Sequence, residues 1–421
     1  MCGIAGAYNI QDYDVKDALK AISHRGRDQR KIVKFDKFVM GFNRLAIVGL
    51  NKSSQQPYED DDIIVAFNGE LYNYDKENYK SEMLWLVDLI KGSSQFYKFL
   101  DGQFFIVVYY KKEKKLQFVR DPWGIVPGYM NTDKSGIIFG SEKKVVGNGY
   151  YEIPAGSSLT IDLVKGNDKL EYYFQPPINN LPFKYKIVGS MLGMAVDKIA
   201  NHTDVGLSFA LGGLDSTLLL QMALQKDIKI DDIFTIGFGD DSDDIKHAEK
   251  VEKQFGVKVR KKILYEDEII TELDNLNYYL EDSTPNPVKF RGFLRNYFVA
   301  KNSKTSVILC GEGADELFYG YPYFKDYKGI HLAFKGVRSL ESMPMINLDR
   351  VDRGGMAWTK EFRPIYLDKS FSTAVLQFAR HSGKEELREL AHKRQIPGEF
   401  VHRPKYGSDE KYISELGIWT N

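Results

Sequence analysis

Phe209-Ala210-Leu211-Gly212-Gly213-Leu214-Asp215-Ser216-Thr217 is the stretch on which the fold of the second half turns. The apolar run 205–210 predicts a short buried strand, and 217–225 predicts a helix directly behind the glycines. Glycines between a strand and a helix let backbone N–H groups come close to an anion, which the helix N-terminus also favours. The loop is not of the Walker kind, because no Lys-Ser/Thr pair follows the glycines. Outward from it the alternation continues. Residues 233–238 predict a second strand, followed by a helix with Ile245, Ala248, Val251 and Phe255 on one face that Gly256 ends. Residues 306–310 predict another strand after a further helical stretch. Strands alternating with helices argue for an α/β unit, a parallel sheet covered by helices on both faces. Beyond about residue 340 the chain reads as helical.

The first half has a different rhythm. Residues 63–67, 104–110, 116–120 and 136–140 are rich in β-branched and aromatic side chains, which predicts short strands separated by turns. The pattern breaks at Gln175-Pro176-Pro177-Ile178-Asn179-Asn180, a candidate linker between domains at 2–175 and 182–421. A length of 421 residues suits two such domains. Lys+Arg and Asp+Glu both total 58, so net charge points to neither nucleic acid nor an anionic membrane. Two cysteines, Cys2 and Cys310, are too few for a disulfide framework. No apolar run reaches membrane-spanning length and no signal segment opens the chain, so a soluble cytoplasmic protein is expected.

Cys2 stands directly after Met1. Removal of Met1 would give Cys2 a free α-amine with a pKa near 8, able to act as base for the thiol of the same residue. Behind it come His24-Arg25-Gly26-Arg27-Asp28, Arg44-Leu45-Ala46-Ile47-Val48, Gln56-Pro57, Asn68-Gly69-Glu70-Leu71-Tyr72-Asn73, Asp101-Gly102 and Arg120-Asp121-Pro122-Trp123-Gly124. Singly these suit turns or surface charges; Asn-Gly, for example, is a turn dipeptide. In this order they resemble the glutamine-hydrolysing domain of class II amidotransferases. That resemblance implies an α+β N-terminal-nucleophile fold of antiparallel sheets layered with helices. It further implies that Cys2 attacks the side-chain amide of glutamine, and that the Asn68 amide and the Gly69 N–H form an oxyanion hole. Arg44 would pair with the α-carboxylate, Asp101 with the α-ammonium, and Ile47, Val48 and Glu70 would line the same pocket. The family's usual proline, histidine and aspartate are replaced by Arg27, Asn43 and Gly49, and Lys80 stands where an aspartate is common in a shortened 74–81 segment.

In the second half, Cys310-Gly311-Glu312-Gly313-Ala314-Asp315-Glu316-Leu317-Phe318-Tyr319-Gly320-Tyr321 follows a predicted strand. With the glycine loop, Asp352-Arg353-Gly354-Gly355-Met356, Glu361-Phe362-Arg363, Leu367-Asp368 and Arg403-Pro404-Lys405, it resembles asparagine synthetases, ligases of amino-acid biosynthesis with an ATP-pyrophosphatase domain. The resemblance implies ATP as co-substrate at the carboxyl ends of the parallel strands. Gly212, Gly213 and Ser216 would cradle the pyrophosphate, and Phe209, Ile236, Cys310 and Gly311 would border the adenosine. Asp215 and Asp315 would hold Mg2+. Glu312 would assist acyl-adenylate formation, and Lys405 would neutralise charge on the phosphates. Asp352, Arg353 and Glu361 read better as a structural ion-pair network. Lys289 and Arg291 fall where the family recognises its acceptor, a small carboxylate and in this family aspartate. Leu211 replaces the serine that usually opens the loop. A homodimer is compatible with the family. Rival readings are an amidotransferase acting on another carboxylate, such as a sugar acid or peptide, and a synthetase-impaired glutaminase or regulatory binding protein.

Overall fold

The computed structural model describes residues 1–132, 135–282, 287–403 and 412. The chain forms two compact units, one of Met1–Gln175 with Met356–Thr359 and one of Pro176–Gly355 with Lys360 onward.

The first unit is built on two six-stranded sheets. One runs in the order Tyr151–Glu152, Tyr129–Thr132, Ile137–Gly140, Gly3–Tyr8, Phe38–Arg44, Gln29–Phe35. The other runs Asn167–Tyr172, Ser157–Asp162, Lys115–Arg120, Gly102–Tyr110, Ile63–Leu71, Tyr58–Glu59. Neighbouring strands pair antiparallel, as in Gly3↔Asn43 and Asn68↔Phe105. The four strands expected from β-branched and aromatic content are present, extended by one to four residues or trimmed by one. The sheets face each other through aromatic rings: Phe38 stacks on Tyr109 with centroids 4.3 Å apart, and Phe139 meets Phe118 edge-on at 5.5 Å. Helix Val15–Ala21 covers the outer face of one sheet through Val15, Leu19 and Ile22, and Glu82–Gly92 covers the other through Met83, Leu86 and Ile90.

Strand period sets the position of the key residues here. Along Ile63–Leu71, Ile63, Val65, Phe67 and Leu71 pack with the outer helix, so Ile64, Ala66 and Asn68 point the opposite way. Asn68-Gly69, a turn pair by composition, therefore lies inside a strand. Gly69 has φ +128°, and a Cβ there would stand 1.9 Å from the Gln103 carbonyl oxygen on the neighbouring strand. Only glycine tolerates that approach.

The second unit holds a five-stranded sheet in the order Val259–Leu264, Asp232–Phe238, Leu207–Ala210, Val307–Cys310, Glu361–Pro364. All four pairings are parallel. Leu207–Ala210 is flanked on one side by the next strand in sequence and on the other by Val307–Cys310, so the strand order reverses beside it. That reversal is the topological switch point where open α/β sheets open a crevice. The helix expected around Ile245 to Phe255 runs Asp243–Phe255, capped by the Ser242 hydroxyl and ended by left-handed Gly256. One expectation is corrected: the region beyond 340 is not uniformly helical. Glu361–Pro364 is the outermost parallel strand, four residues long and carrying the buried pair Glu361–Arg363, which left no apolar run to mark it. Among the described residues, no helix is long and apolar enough to cross a membrane.

Candidate active sites

In the first unit the register Gly3↔Asn43 carries Cys2 opposite Arg44, at the edge of the paired region. The Cys2 thiol accepts from the Leu45 N–H at 3.4 Å, and the Cys2 backbone N–H donates to the Asn68 side-chain oxygen at 2.5 Å. The Arg25 Nε donates to the Cys2 carbonyl at 2.8 Å while Arg25 Nη1 donates to Glu142 at 3.0 Å. His24 meets the same Glu142 oxygen at 2.9 Å. His24-Arg25 thus braces the Cys2 backbone. Glu142, its buried anchor, was not singled out because it lies far along the chain with no motif around it. The Asn68 NH2 makes one long contact, 3.5 Å to Ser141 Oγ, which leaves donor capacity for a developing charge.

Arg44 donates to the carbonyls of Val48 at 3.4 Å, Gly49 at 2.5 Å and Asn51 at 3.5 Å, so part of its fork shapes this turn. Gly49 there is left-handed at φ +63°, a conformation that explains glycine at this position. Asn43 donates to the carbonyls of Leu19 and Ile22 and accepts from Arg30 Nε, tying helix to sheet where the family's histidine is missing. Ile47 and Glu70 are buried, Val48 and Asp101 half-buried. Asp101 precedes strand Gly102–Tyr110, and its carbonyl accepts from the Tyr72 N–H at 2.8 Å, next to the Glu70 end of the adjoining strand. Asp121 plays a structural part, accepting from the N–H groups of Phe104, Trp123, Ile125 and Val126 within 3.3 Å.

In the second unit a cavity of about 330 Å³ opens at the switch point. Gly212, Gly213, Asp215 and Ser216 line one side, and Cys310, Gly311, Glu312 and Asp315 another. Ile236 and Leu211 border it, as do Arg291, Arg295, Tyr321 and Arg350. Phe209, expected to border the adenosine, is fully buried in the central strand Leu207–Ala210, whose last residue Ala210 lines the cavity. Lys405 lies outside the described residues.

The glycine loop is held from behind. Ser216 Oγ accepts from the Gly212 N–H at 2.8 Å and donates to the Gly213 carbonyl at 3.0 Å. Thr217 Oγ1 also donates to the Gly213 carbonyl, at 2.8 Å, and sits 2.9 Å from His247 Nε2. With the hydroxyl proton committed to Gly213, His247 is the donor to Thr217. Burial, reinforced by the charge of Arg403, pushes the His247 imidazole down to about 3. Arg403 Nη1 donates to the Gly212 carbonyl at 2.6 Å and Nη2 binds Asp244 at 2.5 Å. Neither His247 nor Asp244 carried a sequence motif.

The two aspartates expected to hold metal converge on one cation. Lys384 Nζ lies 2.5 Å from Asp215 Oδ2 and 2.8 Å from Asp315 Oδ1. Burial works against the charge, but the two carboxylates hold the Lys384 ammonium above the usual lysine range. Sequence reasoning missed Lys384, which sits alone beside Gly383 in a segment read simply as helical. Carboxylate oxygens close enough to share one cation, facing a cavity, form a donor set that fits Mg2+ completed by phosphate oxygens. Glu312 is 3.6 Å from Arg350 Nη2. Buried Glu316 accepts from Tyr321 OH at 2.7 Å and Asn347 Nδ2 at 2.6 Å; burial and then the charge of Asp315 push its carboxyl up to about 7. Burial also pushes the Cys310 thiol up, so it is no nucleophile.

Lys289 is buried in ion pairs with Asp349 at 2.7 Å and Asp282 at 3.2 Å, which makes it a structural lysine. Arg291 lines the cavity. Of the residues expected to form a structural ion-pair network, Arg353 pairs with Asp349 at 3.2 Å and with Glu281 at 3.1 Å, and Glu361 pairs with Arg363 at 2.7 Å.

Residues 1–154 match the family model of the glutamine amidotransferase domain, and residues 188–344 match that of asparagine synthase. An asparagine synthetase [glutamine-hydrolyzing] of Bacillus subtilis is 26% identical over 77% of this chain and 60% of its own length. One from Saccharomyces cerevisiae is 27% identical over 98% of this chain and 79% of its own, and one from Bos taurus 27% over 100% and 86%. The chain thus spans about three fifths of the Bacillus relative and more of the others. Two domain matches in this order, with relatives that align across both, make the chain similar in both halves to glutamine-hydrolysing asparagine synthetases.

Proposed function

We propose that this protein converts aspartate to asparagine with ATP and with ammonia taken from glutamine. The reading is carried by the Asn68 amide meeting the Cys2 nitrogen in one unit of a chain whose other unit opens its cavity between a glycine loop and an acidic loop. After Met1 is removed, the Cys2 α-amine takes the thiol proton and the thiolate attacks the glutamine side-chain carbonyl. Asn68 Nδ2 and the Gly69 N–H receive the negative oxygen, Arg44 and Asp101 hold the amino-acid end, and Ile47, Val48 and Glu70 shape the pocket around it. Ammonia leaves, and water hydrolyses the thioester to glutamate.

In the second unit Gly212, Gly213 and Ser216 seat the ATP phosphates, with Ile236, Cys310 and Gly311 around the nucleoside. Mg2+ bound through Asp215 and Asp315 would neutralise phosphate charge. The acceptor carboxylate attacks the α-phosphate, pyrophosphate leaves, and ammonia displaces AMP from the acyl-adenylate. Glu312 faces that reaction, and Lys405 is assigned to the departing phosphates. Arg291 and Arg350 supply positive charge on the cavity wall for a dicarboxylate acceptor.

The test is AMP release with ATP, Mg2+ and glutamine across a panel of carboxylates. Aspartate should support the fastest release, with asparagine as product. A sugar acid or peptide supporting faster release, or glutaminase activity with no AMP under any acceptor, would overturn the reading.

A further inference from the structure

We propose that Lys384 is a tethered counter-cation that keeps Asp215 and Asp315 from taking up a free divalent ion, so that metal enters only together with nucleotide phosphates. The inference rests on the nucleotide-site reading above and assigns a positioning role to a residue outside the expected set.

The geometry is specific. One ammonium touches a carboxylate from the glycine-loop helix and one from the acidic loop, at 2.5 and 2.8 Å. It is no swinging surface lysine, for its side chain is 9% exposed. Its backbone is laced to the acidic loop: the Gly383 N–H donates to the Tyr319 carbonyl at 2.8 Å and the Lys384 N–H to the Phe318 carbonyl at 3.0 Å. Lys384 adopts a left-handed backbone at φ +62°, a conformation a lysine rarely takes without such anchoring. Gly320 makes room for the contact, since a Cβ there would stand 2.3 Å from Lys384 Cε and 2.0 Å from Asp315 Oδ1.

Charge then decides the order of events. Two carboxylates and one ammonium sum to a single negative charge, a weak attraction for a dication that must shed water and approach the ammonium. Phosphate oxygens change the balance by adding negative charge and ligands at once. Lys384 also keeps the two carboxylates apposed without metal, where their mutual repulsion would otherwise spread the loops.

Binding of Mn2+ to the full chain, read from the free Mn2+ electron paramagnetic resonance signal, tests this directly. Wild type should bind no stoichiometric Mn2+ alone and one ion or more once a non-hydrolysable ATP analogue is added. Lys384→Met should bind Mn2+ without nucleotide, about tenfold tighter or more than wild type, and Asp215→Asn in that background should abolish the gain. Lys384→Arg, which keeps the charge, should behave as wild type. Nucleotide-independent Mn2+ binding by wild type that Asp215→Asn removes would overturn the proposal, and this needs no folded Lys384 variant. A folded Lys384→Met that gains no Mn2+ would overturn it as well. Aspartate-dependent AMP release in wild type, measured in parallel, separates failure of this inference from failure of the nucleotide-site reading.

Discussion

The proposed oxyanion hole divides one role between the Asn68 side chain and the Gly69 backbone. Strand alternation turns the Asn68 amide to the Cys2 side, and the missing Cβ lets Gly69 lie against the Gln103 carbonyl. Gly69→Ala would put a carbon 1.9 Å from that oxygen and displace the N–H assigned to the oxyanion. Glutamine hydrolysis should fall about a hundredfold or more, while ammonia-supported amidation holds. Unchanged glutaminase rates would remove Gly69 from the site. Leu211 poses the opposite problem. Its N–H donates to the Phe234 carbonyl and its carbonyl accepts from Thr235 Oγ1, both at 2.9 Å, so the start of the loop is anchored to the adjacent strand. The side chain is buried at the cavity wall. Leu211→Ser should restore a hydroxyl donor and lower the ATP concentration needed for half-maximal rate about tenfold. It should also lower stability by about 2–4 kcal/mol through lost packing. An ATP titration and a thermal melt read the two effects separately, and an unimproved ATP dependence would contradict the loop assignment.

At the level of elements, helix Asp243–Phe255 carries a buried pH-sensitive group in His247. The unfolded imidazole takes a proton below pH 6.5, whereas the folded one, buried beside Arg403, resists until about 3. Stability is therefore full above pH 6.5 and falls as pH drops through that window, at up to about 1.4 kcal/mol per pH unit. His247→Gln keeps a donor for Thr217 and removes the titration, so its melting temperature should fall less than that of wild type on going from about pH 6.5 to about pH 4. Parallel pH profiles for the two proteins would contradict this. Such elements also show where sequence legibility ended. The helix was readable because Ala248 and Val251 fall on its buried face and Gly256 marks its end. Strand Glu361–Pro364 was not, because its burial is satisfied by an ion pair and by Arg363 donating to the His202 carbonyl at 2.6 Å. Strand Val259–Leu264 was hidden by Arg260, Lys261 and Lys262, of which Arg260 pairs with Asp232 at 2.6 Å across the sheet edge. Contiguous motifs announced Cys2, Asn68, the glycine loop and Asp315. Glu142, His247 and Lys384 act through partners far away in the sequence, and no local pattern marks such contacts.

For the molecule as a whole, the proposed function assigns two chemistries to two units, with ammonia as the species they would share. A chain with 58 basic and 58 acidic residues presents no overall charge to attract either anionic substrate, so selectivity has to come from the two sites themselves. Central to the proposal is that Cys2 serves glutamine alone and that amide formation proceeds elsewhere in the chain. The most direct measurement supplies glutamine labelled with heavy nitrogen in its side-chain amide, then unlabelled ammonium in its place, with ATP, Mg2+ and aspartate in both reactions. Wild type should place the label in the asparagine amide. Cys2→Ala should make no labelled asparagine from glutamine yet form asparagine from ammonium at a rate within about twofold of wild type. Labelled asparagine from Cys2→Ala, or loss of both activities in a protein that remains folded, would contradict the account.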